Sequence, residues 1–208
     1  MRIHPALLLA VSAPFSVALA SDPLPEPGIY TNEEAAYFIG DRGDEKPAWA
    51  GLKILADGRW QWVDEFGKPT GEWRSGAIPG MQQTSVGWSL NGAEMRRAAQ
   101  FTCWMSVKKF AAKPDGADDY TFAGKLPLFD QGGRVQSGGG DSGAPAAIFR
   151  LRTVYWPAPS TNKPSLVLYV HRPEQPDHAV SYVWADPDAK LIGINLRWVQ
   201  GSCTREEP

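Results

Sequence analysis

Histidine is almost missing from this sequence: three residues in 208, of which only His171 and His178 lie beyond the first twenty. Chemistry that rests on imidazole, whether a proton-relay triad or a histidine-rich metal site, has little to work with. Cysteine is equally sparse. Cys103 and Cys203 are the whole supply, and no C-x-x-C pair exists to hold zinc or run redox exchange. Charge of either sign never accumulates into a run. Without Arg2, 20 basic and 23 acidic residues remain, and a surface so near balance argues against nucleic acid or anionic membrane as a main partner. Past residue 20 no apolar stretch approaches the roughly 20 residues of a membrane-spanning helix, so no membrane span is expected.

What is present begins with an export signature. Arg2 supplies a short basic start, "PALLLAVSAPFSVALA" an apolar core, and Ala18-Leu19-Ala20 the small residues read at a cleavage site. Residues 1–20 are expected to be a cleaved signal peptide and residues 21–28, "SDPLPEPG", an extended proline-rich lead-in. Residues 29–208 then form a single β-rich domain in the periplasm or outside the cell. In that compartment an even cysteine count reads as a disulfide, Cys103–Cys203. Closing a loop of about 100 residues limits unfolded-chain entropy by roughly 4–5 kcal/mol in the simple chain model.

Along the mature chain one short helix competes with many strands. Thr31-x-x-Glu34 has the spacing of a capping box and favours a two-turn helix ending at Gly40. Further on, Asp57-Gly58 and Asn91-Gly92 each spell a two-residue hairpin turn, since glycine accepts the positive φ such turns require. The first pairs Leu52 and Ile54 with Trp60 and Trp62 and leads into a third strand at Trp73. After the second, Met95, Ala99, Phe101, Cys103, Met105 and Val107 share one parity, interrupted by Arg97, which reads as one long strand. "AAIFRLRTVYW" sets Phe149, Leu151 and Tyr155 against Arg150 and Arg152. "SLVLYVH" is apolar on both faces. Beyond the turn at Asp186-Pro187-Asp188, Ile192, Ile194, Leu196 and Trp198 read as one final strand. About ten strands at hairpin spacing mean an all-β fold, an antiparallel barrel of lipocalin or calycin type or a β-sandwich. Closure slightly favours the barrel, because it removes exposed edges. Gly28-Ile29-Tyr30 is similar to the lipocalins' opening Gly-x-Trp over three residues with the aromatic changed, too short a match to assign the family.

Three stretches invite a chemical reading. Gly140-Asp141-Ser142-Gly143-Ala144-Pro145 resembles the nucleophile loop of the chymotrypsin-like serine proteases, which implies Ser142 as nucleophile and Gly140 as an oxyanion donor. That family places its histidine before the serine, and here only His4 precedes Ser142. The glycine-rich stretch then reads as a mobile connection into a strand starting near Ala147. His171, Glu174, Asp177 and His178 carry metal-ligating side chains, but their spacing matches no helix or hairpin metal motif, and Pro173 and Pro176 mark a stiff loop. No cofactor or catalytic residue is expected. The nine tryptophans remain, most of them core material. Trp104 is opposite in parity to Phe101, Cys103 and Met105, and Trp156 to Phe149, Leu151 and Tyr155. With Trp88, these are the candidate ligand-binding residues. The expected function is a non-catalytic binding module for a small apolar or carbohydrate ligand. A protein-interaction role is the alternative, and an atypical hydrolase using Ser142 the third reading.

Overall fold

The computed structural model describes residues 24–41 and 47–207. The expected signal peptide and the first three residues of the lead-in lie outside that range. In chain order the elements are β1 (Gly28–Thr31), α1 (Glu33–Asp41), β2 (Gly51–Ile54), β3 (Trp60–Val63), β4 (Met81–Thr84), β5 (Gly87–Leu90), β6 (Ala93–Arg97), β7 (Gln100–Lys108), β8 (Tyr120–Phe129), β9 (Gln131–Ser137), β10 (Ala147–Val154), β11 (Ser165–Arg172), β12 (Gln175–Ala185), β13 (Leu191–Asn195) and β14 (Val199–Arg205). The fold is all-β and antiparallel, with one helix among the described residues. Cys103 and Cys203 are bonded, and they sit directly opposite each other on β7 and β14.

The last eight strands form two four-stranded sheets. The front sheet runs β13-β14-β7-β8 and the back sheet β12-β11-β10-β9. Read in a circle, this is the order of an eight-stranded up-and-down barrel. Two neighbours in the circuit, β8/β9 and β12/β13, share no ladder, so the barrel is opened along both seams into something closer to a sandwich. Its interior is filled. Phe101, Met105 and Val199 from the front sheet meet Phe149, Leu151, Leu166 and Leu168 from the back, each essentially sealed from solvent. Burying each such side chain contributes about 1.5–3 kcal/mol.

The first six strands make a sheet of their own, β3-β2-β1-β6-β5-β4, around Tyr30, Leu52, Ile54, Trp60 and Met95. Asn91 and Gly92 adopt φ of 49° and 85°, the paired positive values expected for the turn between β5 and β6. Asp57-Gly58 is different from the expected two-residue turn. Leu55 and Arg59 close a longer loop, with Gly58 at φ 78° taking the bulge position. The third strand at Trp73 reduces to two isolated bridges, Val63 to Pro69 and Trp60 to Arg74.

Two long strands expected from parity are each broken. Residues 93–108 split at Ala98, whose N–H bonds the Ile29 carbonyl at 2.7 Å, while Ala99 N–H bonds the Asp130 carboxylate at 2.7 Å. The chain thereby crosses from one sheet to the other. Met95 and Phe101 keep the same parity on either side while entering different cores, and the charged Arg97 at the intervening position is the one interruption, next to the corner. Similarly, the final strand folds into the β13–β14 hairpin at residues 196–198, with Leu196 N–H bonded to the Val199 carbonyl. The expected stiff loop at Pro173 and Pro176 is also replaced. Arg172 pairs with Gln175, so Pro173-Glu174 is a tight turn and Pro176 lies in β12. β12 is an edge strand, where a missing N–H is tolerated.

Candidate functional site

The outer face of the front sheet carries the first group of surface residues. Trp104 points outward, 38% exposed, and packs in a stacked arrangement on Phe122, 69% exposed, with ring centroids 6.1 Å apart and planes 24° from parallel. Local backbone accounts for the arrangement. Cys103 pairs with Leu126 and Met105 with Ala123, so Trp104 is opposed by two residues, Gly124 and Lys125, in a bulge. Lys125 takes φ 55°. A bulge redirects the side chains around it, and Gly124 leaves the indole and phenyl rings room to meet. Around this pair the register sets neutral polar residues: Ser202 opposite Trp104, Gln200 opposite Ser106, and Thr204 opposite Thr102. Asn195 pairs with Gln200 on the far side. Lys125, exposed in the bulge, is the charge nearest the pair, and the other charges lie toward the ends of the face. Lys108 pairs with Asp118 at 2.5 Å, and Thr102 Oγ1 donates to Glu206 at 2.6 Å. The result is an aromatic platform framed by hydroxyls and amides, open to solvent.

The other two candidate tryptophans lie elsewhere. Trp88 is half-buried on β5 and lines a hollow of about 270 Å³ with Leu24, Ile78, Met81, Gln82 and Gln83. Trp156 follows β10 and is half-buried. Trp104 therefore belongs to one sheet, Trp88 to another, and Trp156 to the connection leaving the back sheet. They do not converge on one site.

The outer face of the back sheet is a different chemistry. Parity sets Arg150 and Arg152 on the face opposite Phe149 and Leu151, and α1 lies over them. Arg152 is 1% exposed. It pairs with Glu34 at 2.6 Å and Glu33 at 3.1 Å, and Tyr37 covers its guanidinium at 3.8 Å. Arg150 also pairs with Glu33. Glu34 further accepts a hydrogen bond from the Tyr155 N–H at 3.1 Å. The expected capping box is consequently absent. Asn32 leads the helix, its carbonyl accepting from Ala36 N–H at 2.8 Å, and its side chain holds both the Ala48 carbonyl and the Ala50 N–H. Glu34 is drawn to the sheet by the buried Arg152 guanidinium, which demands a counter-charge more strongly than a backbone N–H demands an acceptor.

Beside the helix, Arg134 on β9 stands directly opposite Arg150. A hollow of about 200 Å³ opens over this pair, walled by Tyr37, Trp49, Glu65 and Asp177. His171, 1% exposed on β11, lies under the same layer. Burial, reinforced by the Arg134 and Arg150 charges, pushes its pKa down to about 4, against a smaller upward pull from the His178 backbone. Neither ring nitrogen makes a hydrogen bond of good geometry. His178, on β12, is exposed, and among the described residues no three metal-ligating side chains cluster. Further along, Tyr169, Tyr182 and Trp184 form a chain of rings at 6.1 and 5.4 Å on the uncovered part of the sheet.

Ser142 sits in a single 3-10 turn, Gly140–Ser142. Its Oγ exchanges hydrogen bonds with the Ala144 N–H and carbonyl, and no imidazole or ammonium is among its partners. The stretch around it is more closely held than a mobile connection. Gly139 N–H bonds the Ala144 carbonyl, Phe110 N–H bonds that of Gly143, and Ala144 is buried in the core. At Gly138, φ is 75° and a Cβ would lie 2.2 Å from the Pro145 carbonyl oxygen. Close approach therefore excludes a side chain at Gly138, while Gly140 and Gly143 are favoured by their positive φ of 51° and 69°.

Sequence reasoning found Trp104 by parity but missed its partner. The stretch 120–137, which forms β8 and β9, has too little alternation to mark strands, and the bulge at Gly124-Lys125 shifts it midway. Comparison with protein-family models, with curated proteins and with solved structures returns no match.

Proposed function

We propose that this is an exported, periplasmic or secreted, non-catalytic binding module whose ligand is a neutral carbohydrate held on the front sheet. The observation that carries the reading is the Trp104–Phe122 pair on an open sheet face, framed by Ser106, Gln200, Ser202 and Thr204. A pyranose presents apolar C–H groups on its faces and hydroxyls around its rim. Aromatic rings suit the first, and side chains that both donate and accept suit the second. The filled interior favours a ligand on the outside over one enclosed in a barrel. The signal-like residues 1–20 and the disulfide support an oxidising compartment.

The test is isothermal titration of the mature protein with neutral oligosaccharides, beside a Trp104→Ala variant. Trp104 is partly exposed, so the variant is expected to fold and to bind at least tenfold more weakly, a loss of about 1.4 kcal/mol. Equal binding by both proteins, or none by the wild type at millimolar sugar, rejects the reading. A second reading, a protein-interaction surface, is favoured by Val180, Tyr182 and Trp184, all exposed on the edge strand β12. Its mark would be partner capture lost on Trp184→Ala and retained on Trp104→Ala.

A further inference from the structure

The hollow over the back sheet contains a guanidinium whose ion-pair partner is not buried with it. Arg134 and Arg150 are directly opposed across β9 and β10, with side chains only 12% and 13% exposed. Like charges directly opposite each other destabilise a sheet, and a buried guanidinium needs a counter-charge that is itself buried. Arg150 has one in Glu33. Arg134 does not. Among the described residues its ion-pair partner is Asp177, 3.8 Å away and 90% exposed, a contact worth little against water. Its Nη1 donates to the Pro176 carbonyl at 2.9 Å, and its Nε has no hydrogen-bond partner. Glu65 lines the same hollow without an ion pair to either guanidinium.

We propose that this hollow is a binding site for a small carboxylate, held between Arg134 and Arg150 with its body against Tyr37 and Trp49. A carboxylate matches the planar guanidinium, which can present two parallel N–H donors to it. A monoanion suits the site better than a dianion, since Glu33, Glu65 and Asp177, which also line the hollow, repel the second charge. The volume of about 200 Å³ holds a sugar acid or a short organic acid and excludes a polymer. Burial, and then the Arg150 charge, hold the Arg134 guanidinium below its ordinary range, against the smaller opposing pull of Glu65, Asp177 and Glu33. The site is on the opposite side of the sandwich from the Trp104 platform and does not depend on it.

Isothermal titration with glucuronate, acetate, inorganic phosphate and neutral glucose tests this on the mature protein. Glucuronate is expected to bind, glucose at this site not to bind, and the affinity to fall as salt is raised. Arg134→Gln should weaken glucuronate at least tenfold. Asp177→Asn removes a competing carboxylate from an exposed position, leaves the fold intact, and should tighten binding severalfold. A purely structural Arg134–Asp177 pair would give no such gain. The proposal is overturned if glucuronate fails to bind, if Asp177→Asn leaves its affinity unchanged or lowers it, or if phosphate binds as tightly.

Discussion

Cutting the link between Glu34 and Arg152 should release helix α1. The helix has nine residues, too short to persist alone in water, and its attachment to the back sheet runs through the Glu33, Glu34, Arg150 and Arg152 cluster. Glu34→Ala removes the 2.6 Å partner of a guanidinium that is 1% exposed, and also the acceptor for the Tyr155 N–H. Breaking one side of a buried pair costs about 3–5 kcal/mol, because the surviving charge stays desolvated. Glu33 still contacts Arg152 at 3.1 Å, so the lower end, about 3 kcal/mol, is expected. For a domain of this size that corresponds to a fall in Tm of roughly 6–12 °C. Arg152→Met in the same background takes the stranded charge away while keeping an apolar stem, and should recover about 2 kcal/mol. Urea unfolding followed by circular dichroism gives all four corners of the cycle. A Glu34→Ala cost under 1 kcal/mol, or a double variant no more stable than Glu34→Ala, would refute the claim that buried ionic compensation holds the helix in place.

His171 gives a pH dependence of definite sign. Its folded pKa of about 4 lies below the ordinary value near 6.5, so the unfolded chain takes up the proton first. Stability is therefore complete above about pH 6.5 and is lost as pH falls toward 4, by roughly 3 kcal/mol in total. His171→Leu should flatten that part of a stability–pH curve measured by urea titration, and an unchanged slope would show that other groups cause it. Replacing both Cys103 and Cys203 by serine should lower stability by about 4 kcal/mol, read from the denaturant midpoint. A loss under 1 kcal/mol would mean that β7–β14 pairing persists in the unfolded chain.

The residues that revealed their place in the sequence are those whose environment is set by local period. Alternation around Cys103 correctly turned Trp104 outward, and Asn91-Gly92 marked its turn by the positive φ both residues adopt. The cysteine pair needed only the count and the compartment. For Arg150 and Arg152 the period identified the face but not what covers it; their cover is a helix more than 100 residues earlier in the chain. Phe122 stayed hidden because its contact with Trp104 depends on a bulge, and a bulge is one residue of slippage that no composition announces. The break at Leu196 was invisible for the opposite reason, since the alternation carries on across the corner; at Ala98 the only trace was the interruption at Arg97, which one charged residue does not distinguish from a strand's own irregularity.

The circular order of β7 to β14 has a consequence for how the chain reaches its final shape. Each ladder within the circuit joins strands adjacent in sequence, and can form by a short-range zipping step, with one exception. β7 and β14 must find each other across almost the whole unit, so the entropic cost of closure is concentrated at a single meeting. The disulfide sits at that meeting and nowhere else. Oxidation therefore acts as a latch on the slowest pairing: once thrown, local openings at either seam can re-close without the chain having to search for its own end.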